Sequence, residues 1–130
     1  MRQIINTKDG GYSVLEVQEV PDVVPKKDEL VIEVKASGLN FADIQARKGQ
    51  YRDAPPKPCV MGYEVSGIVE SVGDEVESSW VGREVLAITR FRGQAEKVAV
   101  KPAQVFEKPE KLSFEEAAAV PVNYLTAYVL

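Results

Sequence analysis

Apolar and polar residues alternate over much of the first hundred positions, as they do in β-strands that turn one face toward a core. The clearest case is residues 30–36, where every second residue is apolar and Glu33 and Lys35 fall on the opposite face. Five other segments have a strand pattern, and glycines in one of them mark places where the backbone bends or packs closely. These segments are residues 3–6, 12–20, 61–73, 83–89 and 94–100.

Turn and loop residues separate the predicted strands. Residues 8–11 and 73–76 combine glycine with charged residues, as tight turns do. Residues 21–29 and 50–58 are rich in proline and charge, which is the composition of loops. Short strands with turns between them are typical of a small antiparallel β-barrel and not of a βαβ array. The sequence therefore predicts a mainly β fold.

A short helix is predicted directly after the strand at 30–36. Asn40 is a favourable N-cap residue, Asp43 three positions later can bond back in the manner of a capping box, and Gly49 provides a left-handed exit. An ordinary capped surface helix would account for all three features. Because the polar residues also have the spacing of a site, this segment is the first candidate for function.

The last fifth of the chain changes from a strand pattern to a helix pattern. Ser113 and Glu116 form a capping box ahead of three alanines, which predicts a helix there. Pro121 interrupts that helix, and Asn123 can cap another one that runs to Leu130. A helix that ends after about two turns on apolar residues has no stop signal. We therefore expect the sequence to continue in a longer protein.

The composition is that of one globular domain. The 130 residues are 45% hydrophobic and 28% charged, and 16 Lys and Arg against 20 Asp and Glu give a net charge of −4. This charge argues against nucleic acid or an anionic membrane as the main partner. No apolar run approaches the roughly 18 residues of a membrane-spanning helix, and residues 1–5 do not resemble a signal peptide. We expect no integral membrane segment and a cytoplasmic location.

Two absences exclude several classes of catalytic site. The chain has no histidine, which rules out Ser–His pairs, Cys–His pairs and His-ligated metals within it. Its one cysteine, Cys59, lies between Pro58 and Val60, where a packed small hydrophobic residue is expected and not a nucleophile. Neither a G-x-G-x-x-G run nor a P-loop is present. An enzyme with this sequence therefore needs a cofactor or an acid–base set without histidine.

Three segments together resemble a known family. They are VKASGLNFAD at 34–43, GYEVSGIV at 62–69 and AAAVPVNYLTAY at 117–128, and they resemble the medium-chain dehydrogenase/reductase superfamily in order and spacing. Within it, the sequence is most similar to the zinc-independent quinone oxidoreductases, and especially to their VAT-1-like branch. The resemblance implies a GroES-like β-barrel, which agrees with the strand pattern.

The resemblance also implies that no zinc is bound. In the related zinc alcohol dehydrogenases, a cysteine stands at the position of Asn40 and a histidine at the position of Tyr63, followed by a glutamate that this chain keeps as Glu64. An amide and a phenol do not hold Zn²⁺. The four-cysteine lobe that carries the structural zinc of those enzymes is replaced here by the short segment 90–94.

The activity implied by the resemblance is hydride transfer from NADPH to a small quinone or enone substrate. In such an enzyme the protein supplies binding, orientation and electrostatics. The implied site residues are Asn40 and Tyr51 for catalysis; Phe41, Tyr63 and Arg90 for the substrate pocket; and Asn40, Asp43, Asn123 and Thr126 for the cofactor.

Each of these assignments has a purely structural alternative. Asp43 can act only as a cap, Tyr51 only in packing and Asn123 only as a helix start. The basic loop at 90–93 can be plain solvent-exposed surface and not a substrate or anion contact.

The resemblance further implies how the chain is organised. Residues 1–120 are expected to form the catalytic domain, and residues 121–130 the start of a helix that leads to a nucleotide-binding domain outside this chain. The 130 residues alone are predicted to be inactive, and a homodimer is expected for the full-length protein. Two other functions stay open: a VAT-1-like binding or trafficking protein with little reductase activity, and a free-standing GroES-like assembly module.

Overall fold

The two longest strands of the computed structural model, which describes all 130 residues, are β3 (Leu30–Ser37) and β5 (Glu64–Val72). They pair antiparallel along most of their length and form the centre of a five-stranded sheet. The other strands of this sheet are β6 (Glu84–Ile88), β7 (Lys97–Val100) and β8 (Val105–Glu107), in the spatial order β7-β3-β5-β6-β8.

A second sheet has three strands, β1 (Arg2–Asn6), β2 (Leu15–Glu19) and the two-residue β4 (Cys59–Val60), with β1 in the middle. Its strand pairs are antiparallel, like those of the larger sheet. The two sheets are joined by the segment just before β7, because Ile4 N donates a hydrogen bond to Gln94 O at 2.9 Å. The predicted mainly β, antiparallel fold is confirmed.

Alternate residues of the five-stranded sheet form the hydrophobic core. Leu30 and Ile32 of β3 are fully buried, as the alternation of apolar residues predicted, and Val34 packs against the same core. Burying a side chain of this size contributes about 1.5–3 kcal/mol. The buried members of the core are Leu30, Ile32, Val65, Val69, Val85, Ala87, Val98, Val100 and Val105.

Three helices accompany the sheets: α1 (Phe41–Arg47), α2 (Phe114–Ala118) and α3 (Pro121–Val129). The capping box predicted for α2 is present, since Glu116 N donates to Ser113 Oγ at 3.1 Å and Ser113 N donates to Glu116 Oε2 at 3.0 Å. Helix α2 packs against β3 and β5. No helix has the length and apolar composition needed to cross a membrane.

Several predicted strand boundaries are wrong. Strand β2 begins at Leu15, because Tyr12–Val14 form a 3₁₀ helix instead of extending the strand. Strand β5 begins only at Glu64, since Gly62 has a φ of 109° and interrupts the extended backbone. Strand β7 is shorter than predicted. The short strands β4 and β8 were not predicted, because so few residues carry no clear alternation.

Gly67 lies in the middle of β5, where a side chain has no room. A Cβ atom at this position would overlap the carbonyl oxygen of Glu33 on β3. The register between the two strands also shifts close by, between Val34 and Ala36. This agrees with the expectation that a glycine in this strand marks a close approach of two backbones.

Substituting alanine for Gly67 is expected to lower the free energy of unfolding by about 3 kcal/mol, because β3 and β5 must separate to admit the methyl group. Gly11→Ala is the matched control, since Gly11 has an extended backbone with a φ of −74° and no atom within 4 Å of the Cβ position. That variant should change the free energy by less than about 1 kcal/mol. Urea unfolding followed by circular dichroism measures both, and equal losses would contradict the close packing.

Candidate functional site

The candidate site lies where β3 ends and α1 begins. Asn40 occupies the N-cap position of α1 with an extended backbone, and its N–H donates to Asp43 Oδ2 at 2.9 Å. This is the return hydrogen bond predicted for a capping box. Gly49, with a φ of 74°, follows the helix in the left-handed conformation. The sequence signals at both ends of α1 are therefore confirmed.

The carboxylate of Asp43 also reaches beyond its own helix. The residue is only 4% exposed, and Oδ1 accepts a hydrogen bond from Gly62 N at 3.0 Å. Burial raises the pKa of the Asp43 carboxyl, the N–H donors of Asn40 and Gly62 partly offset this rise, and the nearby carboxylate of Glu64 adds to it. Asp43 thus joins α1 to the turn that precedes β5.

A second buried carboxylate, that of Glu64, lies at the first residue of β5. The residue is 1% exposed. Its Oε1 accepts a hydrogen bond from Asn40 Nδ2 at 2.9 Å, and its Oε2 accepts one from Val122 N at 2.8 Å. Val122 belongs to the first turn of α3, where a backbone N–H has no partner within the helix. One carboxylate therefore holds both the Asn40 side chain and the start of α3.

Gly38 makes room for this carboxylate. A Cβ atom at position 38 would overlap Glu64 Oε1 and would lie 2.6 Å from Glu64 Cδ. The two main chains are joined as well, because Gly38 N donates to Glu64 O at 3.1 Å. Any side chain at position 38 would have to displace the carboxylate of Glu64.

A second set of hydrogen bonds holds the turn that carries Gly62 and Tyr63. Thr89 Oγ1, just after β6, donates to Gly62 O at 2.6 Å, and Thr89 N donates to Tyr63 O at 2.8 Å. Gly93 N also donates to Gly62 O, at 3.1 Å. Because Asp43 accepts from the N–H of Gly62, this peptide backbone is fixed at both its donor and its acceptor.

An aromatic cluster of Tyr51, Tyr63 and Phe91 lies at the same turn. The Tyr63 ring is perpendicular to that of Tyr51 with centroids 6.2 Å apart, and it is tilted against Phe91 at 5.4 Å. The three rings pack on a small buried cluster that includes Cys59, which is a packed apolar residue as predicted. The cluster forms a mostly apolar wall with two phenols.

The hydroxyl of Tyr63 is buried without a hydrogen-bond partner. Burial raises the pKa of this hydroxyl, and the neighbouring Tyr51 raises it further. Tyr63 is therefore a neutral phenol whose O–H has no acceptor within the closed aromatic cluster. An unpaired buried hydroxyl costs free energy, which an acceptor would recover.

Two other predicted pocket residues are exposed. Phe41, the first residue of α1, is 72% exposed. Arg90 is exposed too, with a left-handed φ of 63° and its guanidinium carbon 5.8 Å from the centroid of the Phe91 ring. Left-handed backbone is uncommon outside glycine, so the loop after β6 holds Arg90 in a specific backbone conformation.

The prediction that Asn123 caps the last helix is wrong. Helix α3 begins at Pro121, whose fixed φ and missing N–H suit the first position of a helix. Asn123 lies in the first turn instead, and its Nδ2 donates to Ala119 O at 3.2 Å. Asn123 and Thr126 are both exposed and are three residues apart, so they are neighbours on the helix surface.

The structure therefore joins some of the predicted site residues and separates others. Asn40 is hydrogen-bonded to Asp43, and Tyr51 packs on Tyr63. Four others are exposed side chains with no hydrogen bond to these pairs: Phe41, Arg90, Asn123 and Thr126.

Glu64 is the site residue to which the sequence alone assigned no role. The sequence feature that could have pointed to it is a glutamate at the start of an otherwise apolar strand segment. A carboxylate buried there needs hydrogen-bond partners. Its partner on α3 is a backbone N–H, which no residue type reveals. The structure contains no group of three or more His, Cys, Asp or Glu side chains that could hold a metal ion.

Comparison with known proteins places this geometry among oxidoreductase-like domains. Residues 26–127 match the family described as alcohol dehydrogenase GroES-like domain. A synaptic vesicle membrane protein VAT-1 homolog of Danio rerio is 44% identical over 131 residues, which is 99% of this chain and 27% of that protein.

Solved structures show the same relationship. The crystal structure of the human synaptic vesicle membrane protein VAT-1 homolog-like protein superposes with a TM-score of 0.95 at 40% identity, covering 99% of this chain and 42% of that one. The Escherichia coli quinone oxidoreductase complexed with NADPH has a TM-score of 0.90 at 32% identity, covering 98% and 39%. The chain spans about a third or less of the curated VAT-1 relatives that it matches, for example 27% and 31%.

The raised pKa of Asp43 predicts a pH-dependent contribution to stability. A raised pKa means that the folded protein holds more protons than the unfolded chain between the ordinary value of 3.8 and the raised one. The free energy of unfolding therefore falls as the pH rises through this window. The advantage of the native chain over the Asp43→Asn variant should shrink in the same direction.

Urea unfolding of both proteins between about pH 2 and pH 7 measures this difference. Asp22→Asn is a control of opposite sign, because hydrogen bonds from Lys97 and the N-terminal ammonium lower the pKa of Asp22. The advantage of the native chain over Asp22→Asn should grow as the pH rises toward about 4 and stay level above it. Parallel trends in the two variants would contradict the raised pKa of the Asp43 carboxyl.

Proposed function

The chain belongs to the family of alcohol dehydrogenase GroES-like domains, and from this premise we propose that it is the catalytic domain of a zinc-independent, NADPH-dependent oxidoreductase that reduces quinones or related conjugated carbonyls. The observation that supports this most is the Asn40 amide held by hydrogen bonds at the start of α1, together with the likeness to a quinone oxidoreductase complexed with NADPH. We place residues 1–120 in this domain and 121–130 in a helix leading to a nucleotide-binding domain.

NADPH, when bound, supplies the hydride. This chain has no glycine-rich dinucleotide motif, so most of the cofactor is held by the further domain. Asn40 at the start of α1 and the exposed pair Asn123 and Thr126 on α3 offer amide and hydroxyl groups that fit a carboxamide, ribose and phosphates. Both oxygens of Asp43 already accept backbone N–H groups, those of Asn40 and Gly62. Asp43 therefore contributes by fixing the backbone of Asn40.

The substrate lies against the aromatic cluster in this proposal. When the aromatic cluster opens to admit the substrate, the unpaired hydroxyl of Tyr63 donates to the substrate carbonyl, while Tyr51 and Phe41 line the pocket and Arg90 lies at its edge. A donor aimed at the oxygen that gains electron density stabilises the transition state of hydride transfer. A small planar quinone or enone provides both the carbonyl acceptor and an apolar surface for these rings.

Zinc has no role in this mechanism. The chain has no histidine and a single buried cysteine, and its buried carboxylates are occupied by N–H donors. An amide and a phenol are poor ligands for Zn²⁺. Activity of the full protein should therefore survive treatment with a chelator.

A second function is favoured by the relatives named as synaptic vesicle membrane proteins, which match at 44% identity. In this alternative the full protein binds NADPH but turns over little or no substrate, and it serves a binding or trafficking role at a membrane surface. The cytoplasmic location and the homodimer stay predictions under both functions.

Asn40→Ala in the full-length protein, with its nucleotide-binding domain present, is expected to lower kcat/KM for a simple quinone by about 10–100-fold, because the amide no longer orients the reacting groups. NADPH oxidation followed by absorbance measures the rate. Gln50→Ala, an exposed amide just past α1, is the matched control and should leave the rate unchanged. The 130-residue chain alone should show no turnover.

Tyr63→Phe separates the proposed substrate contact from a packing role. The free energy of unfolding should stay the same or rise by up to about 1 kcal/mol, because an unpaired buried hydroxyl is removed. The value of kcat/KM should fall by roughly tenfold. An unchanged kcat/KM would reject Tyr63 as the donor, whereas NADPH binding without turnover in the unmutated protein would favour the second function.

A further inference from the structure

We propose that Glu64 is a positioning residue that sets the orientation of the Asn40 amide and ties it to the first turn of α3. The catalytic role of this orientation rests on the proposed function, whereas the contacts of Glu64 are present in this chain whatever its function. Glu64 joins the Asn40 amide, at the start of α1, to the helix that carries Asn123 and Thr126.

The NH₂ end of the Asn40 amide faces Glu64. A carboxylate accepts hydrogen bonds and donates none, so only the NH₂ end of an amide can point at it. Asn40 Nδ2 lies 2.9 Å from Glu64 Oε1, in agreement with this requirement. Because Asp43 holds the backbone N–H of Asn40, the residue is fixed at its main chain and at its side chain. Its second N–H is left for a ligand.

Glu64 also binds the first turn of α3. Glu64 Oε2 accepts from Val122 N at 2.8 Å, in the first turn of the helix. A carboxylate at this end is favoured by both the free N–H groups and the helix dipole. Asn123 follows Val122 directly, so the same contact that orients Asn40 also sets the start of the surface that carries Asn123 and Thr126.

Gly38 provides the space that the Glu64 carboxylate occupies. A Cβ atom there would overlap Glu64 Oε1. Gly38 is not among the residues with a positive φ, so alanine is compatible with its backbone and is excluded by space alone. Gly38→Ala therefore displaces the Glu64 carboxylate without removing its charge.

Nuclear magnetic resonance on the ¹⁵N-labelled 130-residue chain tests the contacts without any need for activity. In Glu64→Gln one of the two carboxylate oxygens becomes an NH₂ group, so one of the two N–H partners loses its acceptor. Hydrogen exchange at Asn40 Nδ2 or at Val122 N should become about tenfold faster or more. Gly38→Ala should move the same two signals and leave the Asn40 backbone signal in place.

Glu70→Gln is the matched control, because Glu70 is an exposed carboxylate on the same strand that pairs with Lys97. It should leave both signals unchanged. If Glu64→Gln and Gly38→Ala keep the native fold and both signals stay where they are in the unmutated chain, the proposal is overturned.

Kinetics of the full-length protein then tests the positioning role. Glu64→Gln should lower kcat by about tenfold or more with a smaller effect on KM, and Asn40→Ala should cost far less in the Glu64→Gln background than alone. Additive losses would mean that Glu64 and Asn40 act independently, which would contradict the positioning role. A full-length protein without turnover contradicts the proposed function, while the exchange results still decide the contacts of Glu64.

Discussion

Burying two carboxylates next to each other costs free energy unless each oxygen accepts a hydrogen bond. Asp43 and Glu64 meet this requirement with four N–H donors, three from the backbone and one from the Asn40 side chain. These donors come from the start of α1, the turn before β5 and the first turn of α3. The need to satisfy two buried charges thus determines how these three parts of the chain are placed.

The barrel supplies the rigid frame for this network. Strands β3 and β5 pair through the core and deliver Asn40 and Glu64 from their ends. Thr89 and Gly93 hold the turn at Gly62 from the loop after β6, so the turn has little freedom to relax when a ligand binds. A site built on strand ends is held more precisely than one built on free loops.

Much of the fold could be predicted from the sequence because its causes are local. Alternation identified β3, and the residues at both ends of α1 identified that helix. The role of Glu64 could not be predicted, since its partners are 24 and 58 residues away and one of them is a backbone N–H. The prediction that Asn123 caps α3 failed for a related reason. Pro121 starts α3, and the N–H in its first turn that needs a partner, that of Val122, donates to Glu64 on β5.

The close approach of Gly38 to Glu64 also constrains how the site can change during evolution. A side chain at position 38 is tolerated only after residue 64 has become shorter or has moved, and a shorter residue 64 leaves Asn40 and Val122 without their common acceptor. The order of substitutions therefore matters. A chain that has first lost the glutamate can accept a side chain at position 38 freely, whereas a chain that keeps it must move the carboxylate to do so.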